Sequence, residues 1–196
     1  MTKAIIIHGA YSNPESNWIP WLKTQLEKRG YEVTIPKLST PENQNLKQWK
    51  KEFQEQIGEL EADTILIGHS IGAVFILTLL EESQTTINAA FLVAGWTGQL
   101  NQEIDTINTT FQDKEFDYNK IKKNAWKIFL YGADNDPYIP IEKFEELADN
   151  LEVDLTEIED AGHFNTKSGY TEFDDLLIDI ISIEHQILKE DEDEEE

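Results

Sequence analysis

Short β-branched apolar runs alternate along the chain with longer amphipathic stretches. That alternation predicts βαβ units around a mostly parallel sheet. Ala4 to His8 is a continuous apolar run, the pattern of a strand buried on both faces. From Trp18 to Arg29 apolar residues recur at helical spacing, with Gly30 as a stop. Glu32 to Ile35 predicts a short strand ended by Pro36. Leu46 to Leu60 predicts a helix, with Leu46, Trp49, Phe53 and Ile57 at intervals of three and four. Thr64 to Ile67 is a third strand, and the helix from Ile71 to Leu80 is apolar enough to be buried. Strands at Asn88 to Val93, Trp126 to Tyr131 and Val153 to Ile158 bring the sheet to about six. Helices are predicted at Ile141 to Leu151 and Thr171 to Leu188. Gly95 to Ala125 is the least regular stretch, a loop followed by a helix near Tyr118 to Lys123. The 196 residues suit a single domain over 1–188, an α/β three-layer sandwich. Residues 189–196 are too charged to bury and are expected to form a disordered acidic tail.

Charge changes the picture of partners. There are 39 acidic against 16 basic residues, a net charge of -23, and Arg29 is the only arginine. A surface of this sign repels phosphate backbones and anionic headgroups, so neither nucleic acid nor membrane is an expected partner. The excess reads first as solubility and second as steering of cationic substrates toward an acidic cleft. With no cysteine in the chain, disulfides, thiolate zinc sites, iron–sulfur clusters and cysteine nucleophiles are excluded. No metal and no cofactor are expected. The start of the chain lacks the pattern of a signal peptide, and no apolar run reaches bilayer length, so a cytoplasmic location is expected. Asn108-Thr109-Thr110 fits a glycosylation sequon and is read as a chance match. The sequence does not fix an oligomeric state.

Gly68-His69-Ser70-Ile71-Gly72 sits between an apolar strand and an apolar helix, the setting a nucleophile elbow requires. A turn that tight has no room for a Cβ at its flanking glycines, and Ser70 is lifted clear in a strained conformation. A serine hydroxyl needs a base. Of His8, His69, His163 and His185, only His163 lies in a loop directly after the last predicted strand, on the carboxyl edge that carries Ser70. His69 is expected to point away from the serine's face. The acid is sought in Asp134-Asn135-Asp136-Pro137-Tyr138, after the strand ending at Tyr131. Asp136 is preferred because Pro137 and Pro140 fix the chain after it; Asp134 is given a turn or hydrogen-bonding role. The oxyanion donors are expected to be the backbone N–H groups of Ile71 and Ala10, the latter just after the turn at Gly9.

The chain resembles the small α/β-hydrolases of the YdeN or retinoblastoma-binding-protein-nine family. The likeness rests on His8-Gly9 through Pro14 with Trp18 and Trp21-Leu22, on the elbow, on Asp134-Asn135-Asp136-Pro137, and on Gly162-His163-Phe164 about 27 positions later. It implies an α/β-hydrolase fold with Ser70, Asp136 and His163 as the triad. It leaves the substrate undefined, since members of the family have poorly defined substrates.

Gly95 to Ala125 leaves little room for a lid, so a minimal lid over an open, shallow site is expected. Such a site suits small carboxylic esters or amides. Trp18, Trp96, Tyr138 and Phe164 are the expected aromatic wall against substrate. A different class of function also fits these residues, a non-catalytic binding or scaffold protein built on the same fold.

Overall fold

The computed structural model describes the backbone of residues 2–194 and the side chains of 2–183, 185 and 186. In chain order the elements begin β1 (Lys3–Ile7), α1 (Ile19–Glu27), β2 (Glu32–Thr34), α2 (Leu46–Gln56), β3 (Thr64–His69) and α3 (Ile71–Glu82). They continue β4 (Ile87–Val93), α4 (Asp105–Gln112), α5 (Tyr118–Lys123), β5 (Ala125–Ala133), α6 (Ile141–Leu151), β6 (Leu155–Ile158) and α7 (Asp174–Glu194). All six expected strands form. The sheet is parallel throughout, in the order β2-β1-β3-β4-β5-β6.

The unbroken apolar runs explain the layering. Every residue of β3 is buried, and α3 is apolar on nearly all sides because it lies between the sheet and α4 and α5. Trp49 of α2, Phe75 of α3 and Phe111 of α4 meet edge to face with centroids 5.0 to 6.3 Å apart. Helix ends follow local chemistry. Asn45 caps α2, its Oδ1 accepting from Gln48 N at 2.9 Å. That helix stops at Gln56 rather than at the expected Leu60, because Gly58 takes a φ of +85° and turns the chain out.

Two further features differ from the expected pattern. Helix α4 occupies part of the stretch that looked irregular. Helix α7 continues beyond Leu188 to Glu194 as backbone. The side chains of 187–196 lie outside the described residues, and with them the expectation of a disordered tail. No helix among the described residues is long and apolar enough to cross a membrane.

The strand order places the site. The chain lays β2 on one side of β1 and β3 on the other, so connections leave β1 and β3 in opposite directions and open a crevice at their carboxyl ends. Gly9 follows β1 and Ser70 follows β3.

Candidate active site

Ser70 sits between β3 and α3 with φ 57° and ψ −126°, a conformation a residue with a side chain rarely holds. Its N–H donates to Val93 O at 2.8 Å, tying the turn to β4. The flanking glycines are required by contact. A Cβ at Gly68 would lie 2.7 Å from the Ala73 backbone, and one at Gly72 would lie 2.5 Å from Ile7 O and 2.6 Å from His8 O. The turn is thus pressed against α3 on one side and β1 on the other, and the serine is pushed outward.

The imidazole and the carboxylate come from the loops after β6 and β5. His163 Nδ1 is 2.7 Å from Asp136 Oδ2, whose side chain is wholly buried. Asp136 Oδ1 accepts from the N–H groups of Tyr138 and Ile139 at 2.9 and 3.1 Å, which fixes the carboxylate's orientation. With the carboxylate only able to accept, Nδ1 is the nitrogen that donates to Asp136. The two preceding residues hold the loops together. Asp134 Oδ1 accepts from Asp160 N at 2.8 Å, and Asn135 Oδ1 from Gly162 N at 2.7 Å. Ser70 Oγ makes no hydrogen bond among the described residues; such links often tighten only around substrate.

The two remaining histidines near the site shape it from below. His8 Nε2 accepts from Leu38 N at 3.2 Å, so Nδ1 is the protonated nitrogen and donates to Gly9 O at 2.9 Å. That bond holds the turn carrying Ala10. His69 Nε2 donates to the backbone oxygen of His163 at 2.9 Å, and its ring packs 5.0 Å from the His163 ring and 6.0 Å from Trp18. Burial, helped by the neighbouring His163, pushes the His69 pKa down to about 3, so it is a neutral prop and no base at ordinary pH. Burial likewise lowers the pKa of His8.

These parts face one cavity of about 480 Å³ lined by Ser70 and His163, by Gly9 and Ala10, and by Leu100, Ile104 and Ile139. The size fits a small organic ligand. A family model described as "Serine hydrolase" matches residues 4–180. The chain belongs to the serine hydrolase family. This hydrolase is 30% identical over 176 residues to the YdeN protein of Bacillus subtilis, covering 87% of this chain and 90% of that one. It is 30% identical over 179 residues to the serine hydrolase RBBP9 of Rattus norvegicus, covering 90% and 92%. The crystal structure of the ydeN gene product from B. subtilis matches with a TM-score of 0.85 at 26% identity, covering 93% of this chain and 98% of that one. Est1E from Butyrivibrio proteoclasticus matches with a TM-score of 0.67 at 14% identity, covering 96% and 89%, a likeness of fold alone.

The aromatic wall of this serine hydrolase divides in two. Trp96 and Tyr138 line the cavity, Tyr138 standing edge-on to His163 with centroids 5.0 Å apart. Trp18 and Phe164 do not. Both are fully buried, and Trp18 Nε1 donates to Phe164 O at 3.1 Å, so they brace the His163 loop instead of meeting substrate. Their size suited them to the core as well as to a wall, and sequence spacing could not choose. His69 is corrected too, since it turns toward His163 and lines the cavity. The acidic cleft is absent: no carboxylate is among the described residues lining the cavity, and Lys167 is. Nor is the site merely shallow. Leu100 and Ile104 precede α4 and Asn108 lies on it, and together they raise a wall that the loop reading of this stretch omitted. Gln102 Nε2 donates to Tyr138 O at 2.6 Å and joins that wall to the loop bearing Asp136.

Proposed function

We propose that this chain hydrolyses small carboxylic esters or amides through an acyl-enzyme on Ser70. The observation that carries the reading is the bond from His163 Nδ1 to the wholly buried Asp136, with His163 and a conformationally strained Ser70 lining one cavity. Ser70 Oγ attacks the substrate carbonyl carbon while His163 Nε2 takes its proton. The carbonyl electron pair moves onto oxygen, where the N–H groups of Ala10 and Ile71 stabilise it. Ile71 opens α3, so its N–H has no intrahelical acceptor, and Ala10 lines the cavity. Collapse expels the alcohol or amine, which leaves with the proton from His163. Water, deprotonated by the same nitrogen, then attacks the acyl carbon and frees the acid and Ser70. Asp136 holds the imidazole's orientation and stabilises its protonated form between these steps.

A fluorophosphonate probe and a panel of p-nitrophenyl esters test the reading. Labelling and ester turnover in the native protein, both lost in Ser70→Ala, are the expected result. A folded protein that neither labels nor turns over any ester would make it a binding or scaffold member of the family instead.

A further inference from the structure

The wall that α4 and the loop before it contribute to the cavity carries two buried hydrogen-bond donors without acceptors. Asn108 and Trp96 both line the cavity, at 1% and 2% exposure. Asn108 Nδ2 and Trp96 Nε1 have no partner among the described residues. A buried donor left unpaired costs about 1–3 kcal/mol, so sites that keep one usually have something to fill it.

The direction of the Asn108 amide is set by a relay. Thr40 Oγ1 accepts from Tyr11 N at 2.8 Å and donates to Gln44 Oε1 at 2.5 Å. Gln44 Nε2 also faces Ile107 O at 3.4 Å, a carbonyl that can only accept, so this end of the amide is the NH₂ and donates to Asn108 Oδ1 at 2.5 Å. The oxygen of Asn108 is used, and the free end is the NH₂. Trp96 has no such ambiguity, because an indole nitrogen only donates. Four other buried orphans do not alter the balance, and one of them, Thr78 Oγ1, lies on α3 outside the cavity. Ser12 Oγ can give or take a proton. His69 Nδ1 faces Gly9, 3.5 Å from where a Cβ on that glycine would be. Gln112 Oε1 belongs to a residue outside the cavity, held by its bond from Nε2 to Asp105 Oδ1 at 2.6 Å.

From this arrangement we infer that the substrate's acyl arm carries an uncharged acceptor oxygen, a ketone or amide carbonyl, received by Asn108 Nδ2 and Trp96 Nε1. The inference rests on the cavity being the substrate site of the proposed hydrolase. The arm is otherwise hydrocarbon, because Leu100, Ile104 and Ile139 surround it. A carboxylate is disfavoured there, since burying a charge against two neutral donors costs more than they return.

The test uses Ser70→Ala protein, which cannot turn substrate over, and calorimetric titration with two matched amides. These are the N-propyl amides of 4-oxopentanoic acid and 4-methylpentanoic acid. The oxo amide is expected to bind about tenfold more tightly. Adding Trp96→Phe, which removes the N–H and keeps an aromatic ring, should reduce that preference. Adding Asn108→Leu should bring it close to one; two independent variants guard against one failing to fold. Equal binding of the two amides, no binding of either, or a preference that survives both substitutions would overturn the inference. Fluorophosphonate labelling of the native protein is read separately. A tenfold preference without labelling would leave the acceptor pocket standing and remove the hydrolase reading.

Discussion

Replacing Gly72 by alanine would put a methyl carbon 2.5 Å from Ile7 O and 2.6 Å from His8 O, both backbone atoms of the central strand region. Neither can retreat without moving β1, so the variant should lose about 2–4 kcal/mol. At this size that is a fall in Tm of about 5–15 °C in a thermal scan. A Tm within a degree of the native value would mean that the turn is not pressed against β1. Asp136→Asn separates charge from shape. The amide oxygen can still accept from Tyr138 N and Ile139 N, so the fold should hold, while the imidazole loses its anionic partner. Turnover of a p-nitrophenyl ester should drop about 10³–10⁴-fold with little change in Tm. At this scale the sequence is most legible where chemistry is written in short contiguous runs: the elbow glycines, Asp136 before Pro137, His163 after Gly162. It is silent on Asn108, whose meaning depends on Gln44 across 64 positions of chain, and on His69, whose neighbours come from the far end.

The loops after β5 and β6 behave as one element. Asp134, Asn135 and Asp136 each reach across, to Asp160 N, Gly162 N and His163 Nδ1 in turn. Asn135→Ala frees Gly162 N, which sits at φ +56° beside Ser168. The imidazole then loses its fixed position, and steady-state assays should show kcat lowered about ten- to hundredfold. A urea titration should show only about 1 kcal/mol of lost stability, the worth of one hydrogen bond. A kcat equal to the native value would detach Asn135 from the site. The six strands were readable because each is a short run containing β-branched or aromatic residues, set between turn residues or helical patterns. Helix α4 was not, because Thr106, Thr109 and Thr110 are poor helix formers and its buried side mixes Asn108 and Gln112 with Phe111. Tertiary packing against Trp49 and Phe75 decides that helix.

For the whole molecule, pH and salt act through different groups. The pKa of His69 is pushed down to about 3 by burial and by His163, against about 6.5 in an unfolded chain. His8 is lowered as well, by burial. Below pH 6.5 the unfolded chain takes up protons that the folded one refuses, so stability falls as the pH drops from about 6.5 toward 3. Between pH 7.5 and 5.5 the loss from His69 alone is about 1 kcal/mol, measurable by urea unfolding. His69→Gln, whose amide can still donate to His163 O, should flatten that slope. Salt works on the net charge of -23. Raising sodium chloride from 10 to 500 mM screens self-repulsion and should raise the Tm. A Tm that falls instead would mean that attractive ion pairs outweigh the excess of acids.

The His163 loop is fastened to residues near the start of the chain. Trp18 Nε1 holds Phe164 O across 146 positions, and Asn17 Oδ1 accepts from Thr166 N across 149. A chain still emerging from the ribosome therefore has its serine turn long before it has anything to activate that serine. On the proposed mechanism such a protein comes on in one step, when the His163 loop has been made and has docked, and shorter products carry an inert hydroxyl.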